Sequence, residues 1–415
     1  MILYLLKKPG LKITWMSAST TTLRIEVAPD QRAHQSARTI AYFAAFVGLG
    51  LTTGSLGPTL SGLATQTRVS LGTISYLFMA RSLGYVLGSR GGKLFDRLPG
   101  NKLLGTTLVM MAGLMALVPV SSSFRLLIIV MFVLGAAESA VDVGSNILLV
   151  WTLGKRVGPL LNALHSFFGI GALLSPAVLA VMVAYGYAGT DVYFVLALML
   201  LPIAVWLWRL PGPAPQATIR TTKKIKGRSR VAFLIALFLF LYVGAEVGFG
   251  GWIFTYATVL KLSSATAAAY LTSAFWAALT VGRILAVPVA RRFRHSSILF
   301  VDLAGCLASV AIILVLPGSV GALISGACGL GLFMASIFPT LLSFADKQLH
   351  LTGQMTGGFI TGASLGAMLV PLVIGQLFEA IGPRIVIFFV GGLLVVMWAV
   401  MAMLYSASQR RAAVA

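Results

Sequence analysis

Acids are scarce in this chain. It holds 10 Asp and Glu against 31 Lys and Arg in 415 residues, and charged side chains together make up only 10%. Soluble domains carry about 25%, so a water-soluble globular protein is excluded. Cysteine is scarcer still: Cys306 and Cys328 stand in separate apolar runs, which leaves no disulfide framework and no cysteine metal site. Long polar stretches are also lacking, since apolar runs adjoin at Ser121–Phe124 and at Pro317–Ser319. That leaves no room for a soluble domain, and neither a nucleotide loop nor a nucleophile with its base is found. A membrane enzyme or a sensor with an output domain is therefore disfavoured, and no cofactor is implied.

Apolar sequence takes the place of what is missing. Hydrophobic residues make up 58% of the chain, and the mean hydropathy is +0.96. Twelve apolar segments can be drawn, near 39–63, 71–94, 103–121, 124–151, 158–186, 191–210, 231–258, 266–290, 297–316, 319–345, 352–380 and 383–407. Each is about long enough to span a bilayer as a helix, so the expected fold is an all-α integral membrane protein of twelve transmembrane helices. Residues 1–38 do not read as a cleavable signal sequence, because no short apolar core ends at a small-residue cleavage site.

The net charge of +21 raises the question of nucleic acid, and its placement answers it. With the N-terminus inside, the inside segments hold 25 of the 31 basic residues and the outside loops hold four, Arg68, Arg125, Lys261 and Arg384. This is the positive-inside signature of a multi-pass protein with both termini cytoplasmic, and no nucleic-acid partner is expected. The basic stretch 211–230 contains no acid and reads as a cytoplasmic linker, either a plain tether or a segment lying on anionic lipid. It separates an N-terminal bundle, 39–210, from a C-terminal bundle, 231–407, with 1–38 and 408–415 as cytoplasmic ends.

The two bundles repeat each other at an offset near 195. Phe46-Val47-Gly48 matches Tyr242-Val243-Gly244, Gly88 matches Gly282, Leu134-Gly135 matches Leu330-Gly331, and Gly171-Ala172 with Pro176 matches Gly366-Ala367 with Pro371. An even number of spans per repeat gives parallel halves related by an axis along the membrane normal. Such halves can rock about a central site.

The few acids matter most where they interrupt apolar sequence. Glu138 and Asp142 lie inside the run Phe124–Trp151, four residues apart, with Asn146 one turn further on the same face. A charge at the bilayer centre costs about 2.5–3.5 kcal/mol, so this stripe needs an aqueous cavity, a partner or protonation. It reads as a substrate or ion pathway; the other reading is a helix–helix hydrogen-bond patch. Arg81 stands 15 residues before Asp96, roughly 22 Å of helix, which puts it near the depth of Glu138. It can pair with one of the acids or snorkel along a cavity wall. Asn162, His165 and Gly169 share a face of the fifth segment, where His165 is either a structural hydrogen-bonding residue or a substrate contact. In the seventh segment, Gly244-Ala-Glu246-Val-Gly248-Phe-Gly250-Gly251-Trp252 has four glycines in eight residues after Gly244's start, which predicts a bend or break. Glu246 is a third buried acid. Trp252 and Tyr256 can face a sugar ring or belong to an interfacial aromatic belt. Arg283 reads as an intramembrane arginine or an anchor at the cytoplasmic end.

The loop Gly92-Lys-Leu-Phe-Asp96-Arg97-Leu-Pro-Gly100-Asn-Lys102 resembles the G-x-x-x-D-R-x-G-R-K signature of the major facilitator superfamily, with Pro99 where the second glycine is expected. In that superfamily the aspartate sits by the start of the eleventh helix, here Thr352-Gly353-Gln354, and helps hold the inner gate shut. An anion is favoured at a helix N-terminus. Gly57-Pro58-Thr59-Leu60, Leu77–Tyr85, Asp142 with Asn146, His165–Gly169 and Glu246 with Gly251-Trp252-Ile253 together resemble the fucose–glucose symporter family, in particular its sodium-dependent glucose transporter branch, over about residues 39 to 407. The resemblance implies a monomeric inner (plasma) membrane secondary transporter that imports a monosaccharide by cation symport, with H+ favoured over Na+. Coupling would fall to Glu138, Asp142 and Arg81, the pocket to Asn146, Asn162, His165, Glu246, Trp252 and Tyr256, and the cytoplasmic gate to Asp96 and Arg97. The acid at Glu138 matches a family position linked to proton coupling. The alternative is proton-driven efflux of small amphipathic compounds.

Overall fold

In lipid every backbone N–H and C=O must be satisfied within the chain, and in the computed structural model the regular structure of the described residues, 29–154, 157–214, 229–349 and 353–412, is helical throughout. Most of the linker and of the N-terminal segment lies outside them. The N-terminal half comprises α1 (Pro29–Thr67), α2 (Leu71–Ile74), α3 (Tyr76–Gly88), a 3-10 turn (Ser89–Leu94), α4 (Gly100–Leu117), α5 (Phe124–Leu153), α6 (Gly158–Ala184) and α7 (Val192–Arg209). The C-terminal half comprises α8 (Ser229–Val259), α9 (Ala265–Arg292), α10 (His295–Val315), α11 (Val320–Met334), α12 (Ile337–Leu349), α13 (Gly353–Ile381) and α14 (Ile385–Ala412). Among the described residues eleven spans are long and apolar enough to cross a membrane, with α11 and α12 counted as one. The twelfth is the interrupted pair α2 and α3. The helix ends at Gly88, Leu153, Arg209, Arg292 and Leu349 lie at one face of the bundle, the basic face; those at Thr67, Leu117, Ala184, Val259, Val315 and Ile381 lie at the opposite face.

The repeat is visible as packing. In the first half α1 packs on α6, α3 on α5 and α4 on α7; in the second, α8 packs on α13, α9 on α11 and α10 on α14. The glycines matched in sequence are the crossing points. A Cβ on Gly171 would stand 2.9 Å from the Gly50 Cα, and one on the matching Gly366 would stand 3.0 Å from the Gly244 N. Gly135 likewise packs on the Arg81 backbone and Gly331 on the Phe275 backbone. Without a hydrophobic drive between helices in lipid, close backbone approach at small residues is what holds them.

One expectation is corrected. The glycine-rich seventh span does not break: α8 is continuous from Ser229 to Val259. Its glycines make room for neighbours, Gly248 for Val370 and Ile374, Gly250 for Trp276, Gly251 for Phe78. Lipid offers no alternative partner for a freed backbone group, so helix persists where the same run in water would fray. The interruptions fall elsewhere, at Ser75 between α2 and α3 and at Ala335–Ser336 between α11 and α12.

The halves meet through α6 with α9, α1 with α8, and α2 and α3 with α13. Near the opposite face the seam is tight. A Cβ on Gly57 would stand 2.7 Å from the Gly251 Cα, so α1 and α8 touch backbone to backbone. At the start of α2, the Gly72 N–H donates to Glu379 Oε2 at 2.8 Å, and Gln376 Nε2 donates to the Gly72 carbonyl at 2.7 Å. Gly357 and Gly358 near the start of α13 are exposed with nothing within 4 Å of a built Cβ.

Candidate functional site

Two helices carry ladders of polar side chains that meet rung for rung. Arg81 and Tyr85 lie one turn apart on α3, and Glu138 and Asp142 lie one turn apart on α5. Arg81 Nε donates to Glu138 Oε2 at 2.7 Å and Nη2 donates to Oε1, a bidentate pair; the Tyr85 hydroxyl donates to Asp142 Oδ2. Both rungs link residues 57 apart, so the helices run parallel and in register. The register is set by small residues, because Gly84 and Gly88 pack against the backbone of Phe132 and Ala136. Asn146 closes the stripe: its Nδ2 donates to Asp142 Oδ1 and to the Asp142 carbonyl, each at 2.9 Å. The carboxylate of Asp142 thus holds a donor on each oxygen.

The rungs differ in exposure. Arg81 and Glu138 are buried, their side chains 11% and 3% exposed, whereas Asp142 and Asn146 are only half-buried. A buried pair missing one partner is strongly destabilising, so the first rung is a fixed charge pair in this conformation. The second rung is the more accessible of the two, and its acceptor can exchange partners for a ligand's hydroxyls.

The other half contributes a second pair. Arg283 of α9 lies 3.7 Å from Glu246 of α8, and its Nη1 donates to the His165 carbonyl of α6 at 3.5 Å. Tyr242, one turn before Glu246, lies against that carboxylate and donates to the Met334 carbonyl at 3.1 Å. Arg283 is therefore not a mere end anchor; it bridges the halves. The His165 ring is exposed and packs edge-on to Phe46, with centroids 5.4 Å apart. Asn162 stands one turn earlier on α6, and its side chain lies outside the described residues.

Two pocket expectations are corrected. Trp252 is fully buried, its Nε1 donating to the Pro371 carbonyl at 2.9 Å and its rings set between Phe78 and Phe378. Tyr256 is 4% exposed one turn nearer the opposite face. Both seal the closed seam in place of lining the open cavity, because α8 meets α1, α3 and α13 there. The gate residues Asp96 and Arg97 are exposed after the 3-10 turn, and among the described residues neither forms an ion pair. Of the helix start expected to meet them, Thr352 and the side chain of Gln354 lie outside the described residues. Phe95 anchors the turn, buried against Gly144 of α5.

Sequence reasoning missed Tyr85 and Tyr242 as site residues, and Glu379 with Gln376 as a latch. Tyr85 was within reach, because it stands to Arg81 as Asp142 stands to Glu138. The latch was not, since it joins residues 307 apart with no shared pattern.

The chain matches the family described as Major Facilitator Superfamily over residues 39–361. It is 30% identical over 376 residues to sodium-dependent glucose transporter 1A of Mus musculus, covering 81% of this chain and 88% of that protein. Among solved structures it superposes on the nucleoside transporter NupG with a TM-score of 0.74 at 14% identity, covering 88% of this chain and 99% of that one. It also superposes on a bacterial homologue of the human lysosomal transporter Spinster, in an inward-facing, unoccupied conformation, with a TM-score of 0.70 at 11% identity, covering 92% and 98%.

Proposed function

The chain belongs to the Major Facilitator Superfamily and is a multi-pass membrane transporter, and on that premise we propose that it imports a monosaccharide together with a cation by alternating access. The observation that carries this reading is the group of polar side chains brought together where the two halves meet, with Arg283 of one half donating to the His165 carbonyl of the other. The group presents Asp142, Asn146 and His165 from one half and Glu246 with Arg283 from the other. Carboxylates, an amide and an imidazole suit the ring of hydroxyls on a sugar, and the glucose-transporter relatives agree with that chemistry. The basic face is the cytoplasmic one in this reading, with both termini inside and the protein in the plasma (inner) membrane. The conformation is then inward-open.

Coupling falls to Glu138 and Arg81. A carboxylate and an arginine this close stabilise each other strongly in a low-dielectric site. A rotamer change of Arg81 that breaks the pair as the halves rock would leave the acid to bind a cation instead, H+ in preference to Na+. Substrate and cation then share one conformational equilibrium, and their linkage is reciprocal. The test is radiolabelled D-glucose uptake into proteoliposomes under an imposed H+ or Na+ gradient. Accumulation driven by H+ and abolished by dissipating that gradient is the expected result. No binding or uptake across a panel of sugars would overturn the sugar reading, and accumulation under Na+ alone would overturn the proton.

A further inference from the structure

Among the described residues seven acids fall within membrane spans; Asp191, Asp346 and Glu379 stand within three residues of a span end, and four stand deeper: Glu138, Asp142, Glu246 and Asp302. Three have strong support. Glu138 has Arg81, Glu246 has Arg283, and Asp142 has the donors Tyr85 and Asn146. Asp302 has none of this. It is 8% exposed in α10, seven residues from the helix start and so about 10 Å into the span. Its partner is the Ser336 hydroxyl, which donates to Oδ2. On its own helix, Cys306 stands one turn on and His295 two turns before. The helices packed against α10 carry Cys328 on α11, Asp346 and Lys347 on α12, Tyr405 on α14, and Tyr270, Arg283, Arg291 and Arg292 on α9, the last two in its final turn at the basic face. Of these Arg283 is engaged by Glu246 and Lys347 by His295, and no cation pairs with Asp302 among the described residues. An unpaired carboxylate at such a site is costly in lipid. A proton removes that cost.

Two further observations give the site access and consequence. A cavity of about 250 Å³ opens at the basic face between α10, α12 and α14, lined by Arg294, His295, Ser297, Phe344, Lys347 and Tyr405. Ser297 is five residues from Asp302, about 8 Å along the helix. Ser336 lies in the interruption between α11 and α12, the place in the second half that corresponds to the Glu138–Asp142 stripe in the first. Two residues before it, the Met334 carbonyl accepts the Tyr242 hydroxyl, which lies against Glu246.

We propose that Asp302 is a proton-binding site of the C-terminal half, linked through Ser336 and the α11–α12 interruption to the Glu246–Arg283 side of the central cavity. Protonated Asp302 no longer needs the Ser336 donor, so the interruption is free to repack, and Tyr242 carries that change to Glu246. The site adds a second titrating acid to the cation coupling proposed above, and its test does not depend on the identity of the substrate.

The experiment is infrared difference spectroscopy of the carboxylic C=O stretch on the purified full-length protein in lipid, titrated with pH. A protonated-carboxyl band that titrates is expected in the wild type, is lost in Asp302→Asn and persists in Glu138→Gln. Ser336→Ala removes a hydrogen bond to the ionised form and should move the midpoint up by about one pH unit, a tenfold gain in proton affinity. Tyr242→Phe breaks only the Met334 link and should shift the same midpoint. A band unchanged in Asp302→Asn overturns the site. Should that variant fail to fold, an unchanged midpoint in Ser336→Ala overturns it equally. An unmoved midpoint in Tyr242→Phe removes the link to the cavity. If Na+ at fixed pH abolishes the wild-type band, the site binds Na+ and the proton assignment falls. None of these readouts uses sugar, so a preparation that binds no D-glucose defeats the sugar reading and leaves this one standing.

Discussion

A single buried guanidinium sets the terms for its neighbours at the residue scale. Glu138→Gln leaves Arg81 inside the bundle without its anion, a change that costs about 3–5 kcal/mol when a buried pair loses one partner. The melting temperature should fall, and variants that still fold should exchange D-glucose in counterflow yet fail to accumulate it under a proton gradient. Accumulation at the wild-type level would remove Glu138 from coupling. Tyr85→Phe takes a donor from Asp142, whose loss from a partly buried acceptor is worth about 1–3 kcal/mol. The stability loss should fall at the low end of that range, because Asn146 still holds the other oxygen, and D-glucose binding should weaken as the Asp142 carboxylate loses its fixed position. Trp252 behaves differently. It is a packed side chain with its indole N–H satisfied, so Trp252→Ala should cost about 3–5 kcal/mol of stability. Trp252→Phe should recover most of it and retain D-glucose affinity. Normal stability with lost binding in the alanine variant would return Trp252 to the pocket.

The seam between α13 and the start of α2 depends on one peptide group at the element scale. Glu379 and Gln376, nearly one turn apart on α13, hold the N–H and the carbonyl of Gly72. Glu379 also lies where an anion complements a helix start. Glu379→Ala should loosen the opposite face. A cysteine engineered at Ser75, with Cys306 and Cys328 replaced, should then be labelled several-fold faster by an impermeant reagent from that side. Labelling at the parent rate would mean that the Gly57–Gly251 contact alone keeps the seam shut. The continuity of α8 through its glycines follows from the same setting. A small residue in lipid is filled by a neighbouring helix, whereas in water it would be filled by solvent.

For the molecule as a whole, the question is how the basic face closes. Asp96 and Arg97 stand exposed, and the contribution expected of them belongs to the conformation in which the halves meet there. Asp96→Asn removes an anion–helix-end contact of about 0.3–1 kcal/mol, which corresponds to roughly a two- to fivefold shift in population. The variant should favour the conformation seen here, and a cysteine at Thr356 should be labelled faster from the basic face. A slower or unchanged rate would detach Asp96 from the gate.

Composition and charge placement were sufficient, without tertiary structure, for the membrane class, the number of spans and the halves. Lipid allows few backbone solutions, and each leaves a long apolar run. The repeat was legible because its matched positions, Gly88 and Gly282, Gly135 and Gly331, Gly171 and Gly366, are helix crossings, where only a small side chain fits. The Glu138–Asp142–Asn146 stripe was legible from the 3.6-residue period, and Arg81 from its depth. Partnership was not. Arg283 meeting Glu246, Trp252 turning into the seam and Asp302 standing with only a serine depend on which helices touch and on how far the halves have rocked. Of the interruptions, one lay beyond reach and one did not. At Ser75 no local breaker stands in the sequence, whereas at Ala335–Ser336 one does: Pro339, four residues on, lacks the N–H that would bond the Ala335 carbonyl, a signal passed over in favour of the glycines of α8.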